Sequence, residues 1–200
     1  MTPYAPGLSG AAAFLREWWR SPRAVGAICP SSLRLTDRMA QWVEVASDGW
    51  VVELGGGTGA VTAALLRSGV PRDRLIVIEQ SIHFVRHLRR RFPGVRIIHG
   101  DAADVGTATE GVLPVRTIVS GLPLRCLPAD AVRRISHACA RVLAAKGRLI
   151  QFTYAPRGIS PWHAASLNLI ASETVWLNLP PARIEVFIPT TALQHSPTIG

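Results

Sequence analysis

Strand-like and helix-like runs alternate along the chain from Trp50 onward, and this alternation limits the possible folds more than any single motif does. Alternation of this kind predicts a parallel sheet covered by helices on both faces, with ligands bound beyond the carboxyl ends of the strands. We therefore predict a doubly wound, Rossmann-like α/β sheet. The predicted strands are Trp50–Leu54, Leu75–Glu79, Val95–His99, Val115–Ser120 and Arg148–Tyr154, and the predicted helices are Thr58–Ser68, Ser81–Phe92 and Ala129–Ala144. Ser81 is predicted to cap the second of these helices.

The two ends of the chain depart from this alternation. In Thr174–Pro189 the runs VWLNL and RIEVFI flank Pro180-Pro181, which predicts an antiparallel hairpin. Near the other end, Ala11–Arg20 is predicted as an amphipathic helix. A second helix, carrying Leu35, Met39, Trp42 and Val43, is predicted after Ser32. The expected organisation is a helical extension at 1–49, a Rossmann-like α/β domain at 50–190 and a tail at 191–200.

Composition limits the partners more than the fold. A chain of 200 residues that is 48% hydrophobic and 18% charged can fold as one globular domain. Its three cysteines have no paired or metal-type spacing, so we expect no structural disulfide, no metal and a reducing compartment. No apolar run is long enough to cross a membrane. The net charge of +9, carried almost wholly by arginine, is typical of a GC-rich genome and also favours polyanions, either nucleic acid or anionic lipid.

The stretch VVELGGGTGA, Val51 to Ala60, joins the first predicted strand to its helix. Glycines allow the backbone to approach a ligand closely, and a helix start has unpaired N–H donors. The spacing also satisfies a dinucleotide fingerprint. Glu53, however, disfavours a pyrophosphate and favours a ligand with positive charge. S-adenosylmethionine, which has an ammonium and a sulfonium, fits this requirement.

Two further acids follow the next two predicted strands. Glu79 ends the second strand, where a carboxylate can accept hydrogen bonds from ribose hydroxyls, and Asp101 follows the third strand, where adenine would lie. Solvated acids at strand ends would explain any one of these residues. Three acids at successive carboxyl ends favour a nucleoside ligand.

The order VVELGGGTG, VIEQ, HGDA resembles that of the class I S-adenosylmethionine-dependent methyltransferases. More specifically, the chain resembles the bacterial phospholipid N-methyltransferases, which convert phosphatidylethanolamine towards phosphatidylcholine. That resemblance rests on FLREWWRSPRAVGAICPSS, IVSGLPL, QFTY and VWLNLPPARIEVF and covers nearly the whole chain. It implies S-adenosylmethionine as cofactor, S-adenosylhomocysteine as product, and a monomer on the cytoplasmic face of the membrane, with anionic lipids and no nucleic acid as partners.

The resemblance also implies roles for individual residues. The implied cofactor-binding residues are Glu53, Gly55, Gly57, Gly59, Glu79, Gln80, Asp101, Ala102 and Ser120. Ser120, Gly121 and Leu122, with Pro123, would line the point where the methyl group leaves the cofactor.

Methyl transfer to an amine requires mainly positioning, desolvation and a neutral nucleophile. Tyr154, after the fifth strand, is the first candidate to contact the head-group amine, and the alternative is a core tyrosine with its hydroxyl at the rim. Trp18, Trp19 and Trp162 are candidates for cation–π contact with a methylated ammonium. Arg157 and Arg183 are candidates for the lipid phosphate, or ordinary surface arginines.

The Ala11–Arg20 helix has two interpretations that the sequence leaves open. Phe14, Trp18, Trp19 and Arg20 suit a bilayer interface, and the same aromatic face could instead cover the cofactor cleft as a lid.

Three other functions are weighed against lipid methylation. An RNA adenine methyltransferase would use the same cofactor, but the chain has Ser120-Gly121-Leu122-Pro123-Leu124 where those enzymes have an Asn-Leu-Pro-Tyr type motif. A non-catalytic S-adenosylmethionine-binding protein is the second, and a nicotinamide dehydrogenase, for which the sequence offers no hydride-transfer site, is the third.

Overall fold

The computed structural model describes residues 33–45, 48–112, 114–154, 160–176 and 181–190. These residues form one seven-stranded sheet of order β3-β2-β1-β4-β5-β7-β6. The strands are β1 (Trp50–Leu54), β2 (Leu75–Glu79), β3 (Arg96–His99), β4 (Val115–Ser120), β5 (Leu143–Thr153), β6 (Leu167–Val175) and β7 (Ala182–Pro189). The helices are α1 (Leu33–Gln41), α2 (Ala60–Arg67), α3 (Ile82–Arg91), α4 (Val105–Ala108) and α5 (Ala129–Val142).

The first five strands are parallel, because each is connected to the next by a crossover rather than a hairpin. Strand order reverses between β1 and β4, and their carboxyl ends therefore flank the crevice where doubly wound sheets bind ligands. The predicted α/β class is confirmed, and β1, β2 and β4 have the predicted bounds.

Each sheet face is covered by its own helices. On one face, α1, α2 and α3 bury Leu35, Met39, Leu65 and Leu88 against the sheet. On the other face, α4, α5 and a 3₁₀ turn at Pro161–Ala165 bury apolar side chains such as Cys139 and Trp162. Burial of both faces explains why the central strands are continuous apolar runs rather than alternating ones. None of the described helices is long and apolar enough to span a bilayer.

The terminal hairpin is confirmed, but the location of its first strand was predicted wrongly. β6 is Leu167–Val175, and Trp176 lies beyond its end, whereas the sequence favoured VWLNL as the strand. β7 lies between β5 and β6 and is antiparallel to both. Among the described strands, β6 is therefore an edge strand, and most of its residues are partly or fully exposed.

Two smaller predictions also need correction, and one short helix was missed. Ser81 occupies the N-cap position of α3, yet its hydroxyl makes no capping hydrogen bond; its backbone N–H instead donates to Glu79 Oε1. β5 begins at Leu143, before Gly147: Leu143 pairs with Val115 of β4, and the register shifts between Val115 and Thr117. The four-residue α4 was not predicted, since it is too short for helical periodicity to be visible.

Candidate functional site

The glycine loop after β1 forms a tight turn at the carboxyl end of the sheet. Gly55, Gly57 and Gly59 have φ angles of 78°, 50° and 82°, which disfavour residues with a side chain. Their N–H groups donate to Ile78 O, Glu79 Oε2 and Gly56 O respectively. The N–H groups of these three glycines are therefore already paired within the protein. A Cβ on Gly55 would collide with Leu122 and one on Gly59 would collide with Phe92, while the N–H groups of Gly55 and Gly57 fasten the loop to β2.

Glu53 lies fully buried beneath this loop. Thr62 Oγ1 donates to its Oε2 at 2.6 Å, whereas Oε1 has no hydrogen-bond partner among the described residues. Burial raises the pKa of the Glu53 carboxyl from 4.5 to about 8, and the nearby Glu79 carboxylate adds to the rise while Thr62 opposes it. An orphaned buried carboxylate oxygen is a costly feature that a cationic group would satisfy. This observation fits the ammonium of S-adenosylmethionine.

Glu79 connects the ends of β1 and β2. Its Oε2 accepts from Gly57 N at 2.9 Å and its Oε1 accepts from Ser81 N at 2.7 Å. Glu79 is 5% exposed. Because a carboxylate has about four acceptor positions, each of its oxygens can accept one further hydrogen bond from a ligand. Glu79 thus has capacity for ribose hydroxyls and also holds the glycine loop.

The third acid, Asp101, lies beside β3 at the same edge of the sheet. Its Oδ1 accepts from Ala103 N at 2.8 Å and starts a short 3₁₀ turn that includes Ala102. Gln80 is exposed, and its backbone carbonyl oxygen lies 3.0 Å from His99 Nε2. β3 pairs with β2, and Gly100 N donates to Glu79 O, so these residues lie next to Glu79. Their contacts with adenine stay predictions.

The turn after β4 touches the glycine loop directly. Gly121 N donates to Leu54 O at 2.8 Å, and a Cβ on Gly55 would lie 2.8 Å from Leu122 Cδ2. Ser120 is fully buried, and its hydroxyl accepts from Leu122 N at 3.4 Å. Ser120, Gly121 and Leu122 therefore lie beside the glycine loop, with the Ser120 hydroxyl directed into the turn itself. Their roles in cofactor binding and methyl transfer stay predictions.

A cavity of about 200 Å³ continues from this turn towards β5 and β7. Leu122, Pro123 and Leu124 supply much of its apolar wall. Gln151, Ser160 and Glu185 supply polar groups, and all three are at most 5% exposed. The cavity is placed where an acceptor could approach a methyl donor held by the glycine loop.

Gln151, Ser160 and Glu185 were not predicted as site residues. Gln151 Nε2 donates to Leu122 O at 3.1 Å, and Gln151 Oε1 accepts from Trp162 Nε1 at 3.3 Å. Arg183 donates to Glu185 Oε1 at 2.5 Å. One signal was available in the sequence: Gln151 and Glu185 interrupt the apolar runs of buried strands. Their facing positions in the β5–β7 ladder depend on the hairpin register, which the sequence did not supply.

Two aromatic candidates have different outcomes. Tyr154 lines the cavity, and its ring packs edge-to-face on Phe152 with centroids 5.5 Å apart. Its role in contacting the acceptor amine stays a prediction. Trp162 is completely buried in the core, and its indole N–H is used by Gln151, so its predicted cation–π role is wrong.

Several predicted substrate or membrane residues lie outside the described part of the chain. These are Phe14, Trp18, Trp19, Arg20 and Arg157. Arg183 lies within the described part of the chain. Its guanidinium forms an ion pair with Glu185 on β7, and its side chain is 21% exposed.

Gly121→Ala is expected to impair cofactor binding more than folding. The added Cβ would lie 3.1 Å from Gly55 O and 3.4 Å from Leu54 O, so the two loops would have to separate by a few tenths of an ångström. We expect the Kd for S-adenosylhomocysteine to rise about tenfold, while the free energy of unfolding falls by about 1 kcal/mol. Calorimetry and urea unfolding measure these quantities. Gly106→Ala, whose Cβ would contact nothing within 4 Å, is the matched control. Equal binding by both variants would contradict a close approach of the two loops.

Comparison with known proteins agrees with this geometry. A family model described as a methyltransferase domain matches residues 51–147. An ornithine lipid N-methyltransferase from Singulisphaera acidiphila is 30% identical over 177 residues, which are 84% of this chain and 91% of that protein. A ribosomal RNA small subunit methyltransferase A from Rhodospirillum rubrum is 31% identical over 122 residues, 59% of this chain and 41% of that protein.

The fold is also shared with solved structures. The 1,6-didemethyltoxoflavin-N1-methyltransferase of Burkholderia thailandensis, with bound S-adenosylhomocysteine, superposes with a TM-score of 0.69 at 15% identity. The superposition covers 95% of this chain and 93% of that chain. The glycine loop, the orphaned Glu53 oxygen and the carboxylate of Glu79 fit S-adenosylmethionine, and the likeness to a methyltransferase over 84% of this chain agrees with that ligand. The chain belongs to the class I S-adenosylmethionine-dependent methyltransferases, and S-adenosylmethionine is its cofactor.

Proposed function

We propose that the protein methylates the head-group amine of phosphatidylethanolamine and of its mono- and dimethyl derivatives. The observation that carries this proposal is the cavity beside Gly121 and Leu122, which combines an apolar wall with the buried carboxylate of Glu185. An apolar wall suits a lipid, and a buried carboxylate suits an amine. The resemblance to phospholipid N-methyltransferases and the ornithine lipid relative both support a lipid acceptor.

Bound S-adenosylmethionine would supply an electrophilic methyl group on its sulfonium. The protein then has to hold a neutral amine in line with that methyl and keep water away. Leu122, Pro123 and Leu124 lower the polarity around the acceptor, which disfavours the charged ammonium and so favours loss of its proton. Tyr154, at the end of β5, remains the candidate for contacting this amine.

An ornithine-containing lipid is the second candidate acceptor, because the relative that covers most of this chain bears that name. Both acceptors present a primary amine at the end of a lipid head group, so the cavity serves either. RNA is a third acceptor to test, since a shorter part of the chain resembles a ribosomal RNA methyltransferase.

Association with a membrane surface belongs to this proposal. A net charge of +9 attracts anionic lipid head groups, each basic residue near the surface contributing about 1 kcal/mol. The proposed enzyme is a monomer that binds the cytoplasmic face of the membrane without crossing it.

The acceptor is identified by incubating the protein with methyl-labelled S-adenosylmethionine and three acceptors in parallel. These are vesicles of phosphatidylethanolamine with phosphatidylglycerol, the same vesicles with ornithine lipid as the only amine, and small-subunit ribosomal RNA lacking its adenine methyl groups. We expect label in phosphatidylethanolamine at a rate at least tenfold above the other two. Predominant label in ornithine lipid would make ornithine lipid the acceptor in place of phosphatidylethanolamine. Label only in RNA would overturn lipid methylation.

A further inference from the structure

We propose that Glu185 is the residue that binds the acceptor ammonium. The proposal rests on the proposed function for the identity of the lipid, but the amine recognition can be measured separately. Glu185 lies on β7, opposite Gln151 of β5 and next to the turn that touches the glycine loop.

Burial is the first argument for this role. The Glu185 side chain is 4% exposed, and a carboxylate at this depth costs free energy unless it is paired or hydrogen-bonded. Arg183 donates to Oε1, and among the described residues no other side chain donates to this carboxylate. A carboxylate has about four acceptor positions, so Oε2 has capacity for an ammonium.

The surroundings of Glu185 are the second argument. Ser160 Oγ is buried at the wall of the same cavity and lacks a hydrogen-bond partner among the described residues. Natural cores leave few buried hydroxyls unpaired, and those that occur call for an explanation such as a ligand. Ser160 and Glu185 thus give the cavity one hydroxyl and one carboxylate oxygen for a polar head group.

Charge is the third argument. Arg183 and Glu185 form an ion pair with side-chain exposures of 21% and 4%, so the cationic end is nearer to solvent than the anionic end. A head group that carries an ammonium at its tip and a phosphate nearer the glycerol has the opposite order of charges. Its ammonium would meet Glu185, and its phosphate would lie towards Arg183.

The path to the cofactor is the fourth argument. Gln151 Nε2 holds Leu122 O, and Leu122 in turn lies against Gly55. An amine that enters between Glu185 and Leu122 is thereby directed towards the methyl-transfer turn. Glu185 would bind the ammonium as it arrives. The ammonium would then release one proton to water, and the resulting neutral amine would lie against the apolar wall.

The test measures preference for an amine rather than turnover. Protein saturated with S-adenosylhomocysteine is titrated calorimetrically with dihexanoylphosphatidylethanolamine and with dihexanoylphosphatidylglycerol, both below their micelle concentrations. We expect wild-type protein to bind the amine-bearing lipid at least tenfold more tightly. Glu185→Gln should abolish this preference while leaving the Kd for S-adenosylhomocysteine unchanged, and Glu185→Asp should retain part of it.

Glu173→Gln is the matched control, since Glu173 on the neighbouring strand also forms an ion pair, with Arg38, but lies outside the cavity. Its amine preference should equal that of wild-type protein. If Glu185→Gln unfolds, Glu185→Asp and Ser160→Ala decide: reduced preference in the aspartate variant and weaker binding of both lipids by the alanine variant support the site.

Wild-type preference in Glu185→Gln, or in Glu185→Asp when the glutamine variant is unfolded, overturns the proposal, as does a wild-type protein without any amine preference. The labelling experiment reports separately on the proposed function. A protein that prefers the amine and labels no lipid would retain the Glu185 site and lose the proposed reaction.

Discussion

Glu79→Ala is expected to weaken S-adenosylhomocysteine binding by about a hundredfold. The change removes two acceptor oxygens offered to the ligand and also frees Gly57 N and Ser81 N, so the glycine loop loses its attachment to β2. Hydrogen bonds to a charged group contribute about 1.5–3 kcal/mol each, and a loss of about 2.8 kcal/mol corresponds to this factor. Isothermal calorimetry gives the Kd directly, and Glu110→Ala, an exposed acid outside the crevice, is the control.

The same variant separates the two roles of Glu79. Wild-type protein should bind an S-adenosylhomocysteine analogue that lacks both ribose hydroxyls more weakly than the natural product. Glu79→Ala should bind the two ligands almost equally if the carboxylate holds the ribose. An undiminished discrimination in Glu79→Ala would restrict Glu79 to fastening the loop.

Glu53→Gln is expected to remove a pH dependence of stability. The folded-state pKa of Glu53 is raised from 4.5 to about 8, so between these values the folded protein holds a proton that the unfolded chain has released. This group therefore stabilises the fold fully below pH 4.5, and its contribution is lost as pH rises towards 8. Relative to Glu53→Gln, wild-type protein should lose about 1.4 kcal/mol of unfolding free energy per pH unit between about pH 5 and 7.5.

Urea unfolding of both proteins across this range gives the difference in slope, and Glu110→Gln should behave as wild type. Saturating S-adenosylmethionine should flatten the wild-type slope, because its ammonium would favour the charged Glu53. Parallel curves for wild type and Glu53→Gln would show that Glu53 does not carry the extra proton.

The cofactor side of the molecule was largely predictable because its signals are local. Glu53, the glycines and Glu79 lie at the ends of strands that apolar runs define, and parallel pairing brings those ends together. The hydrogen bonds within the crevice were not predictable in the same way. Gly57 N donates to Glu79 rather than remaining open, which depends on loop geometry that a spacing pattern does not contain.

The cavity proposed for the acceptor was less predictable, because its residues meet through the hairpin register. The register of the hairpin determines which residues of β7 lie opposite β5. The sequence analysis placed the first strand of the hairpin at VWLNL instead of Leu167–Val175 and therefore did not predict this register. Gln151 and Glu185 are adjacent in the sheet but distant in the chain. Trp162 was one of three candidates for cation–π contact with a methylated ammonium, whereas the structure buries it completely in the core.

The placement of β7 between β5 and β6 has a consequence for how the enzyme acquires new acceptors. The cofactor crevice is built by β1, β2, β3 and the turn after β4, whereas Glu185 and Arg183 belong to the antiparallel hairpin. Under the proposed role of Glu185, substitutions on that hairpin alter the charge that the cavity offers to an acceptor and leave the glycine loop and Glu79 unchanged. Donor chemistry and acceptor choice can therefore diverge independently, on two separate stretches of one sheet.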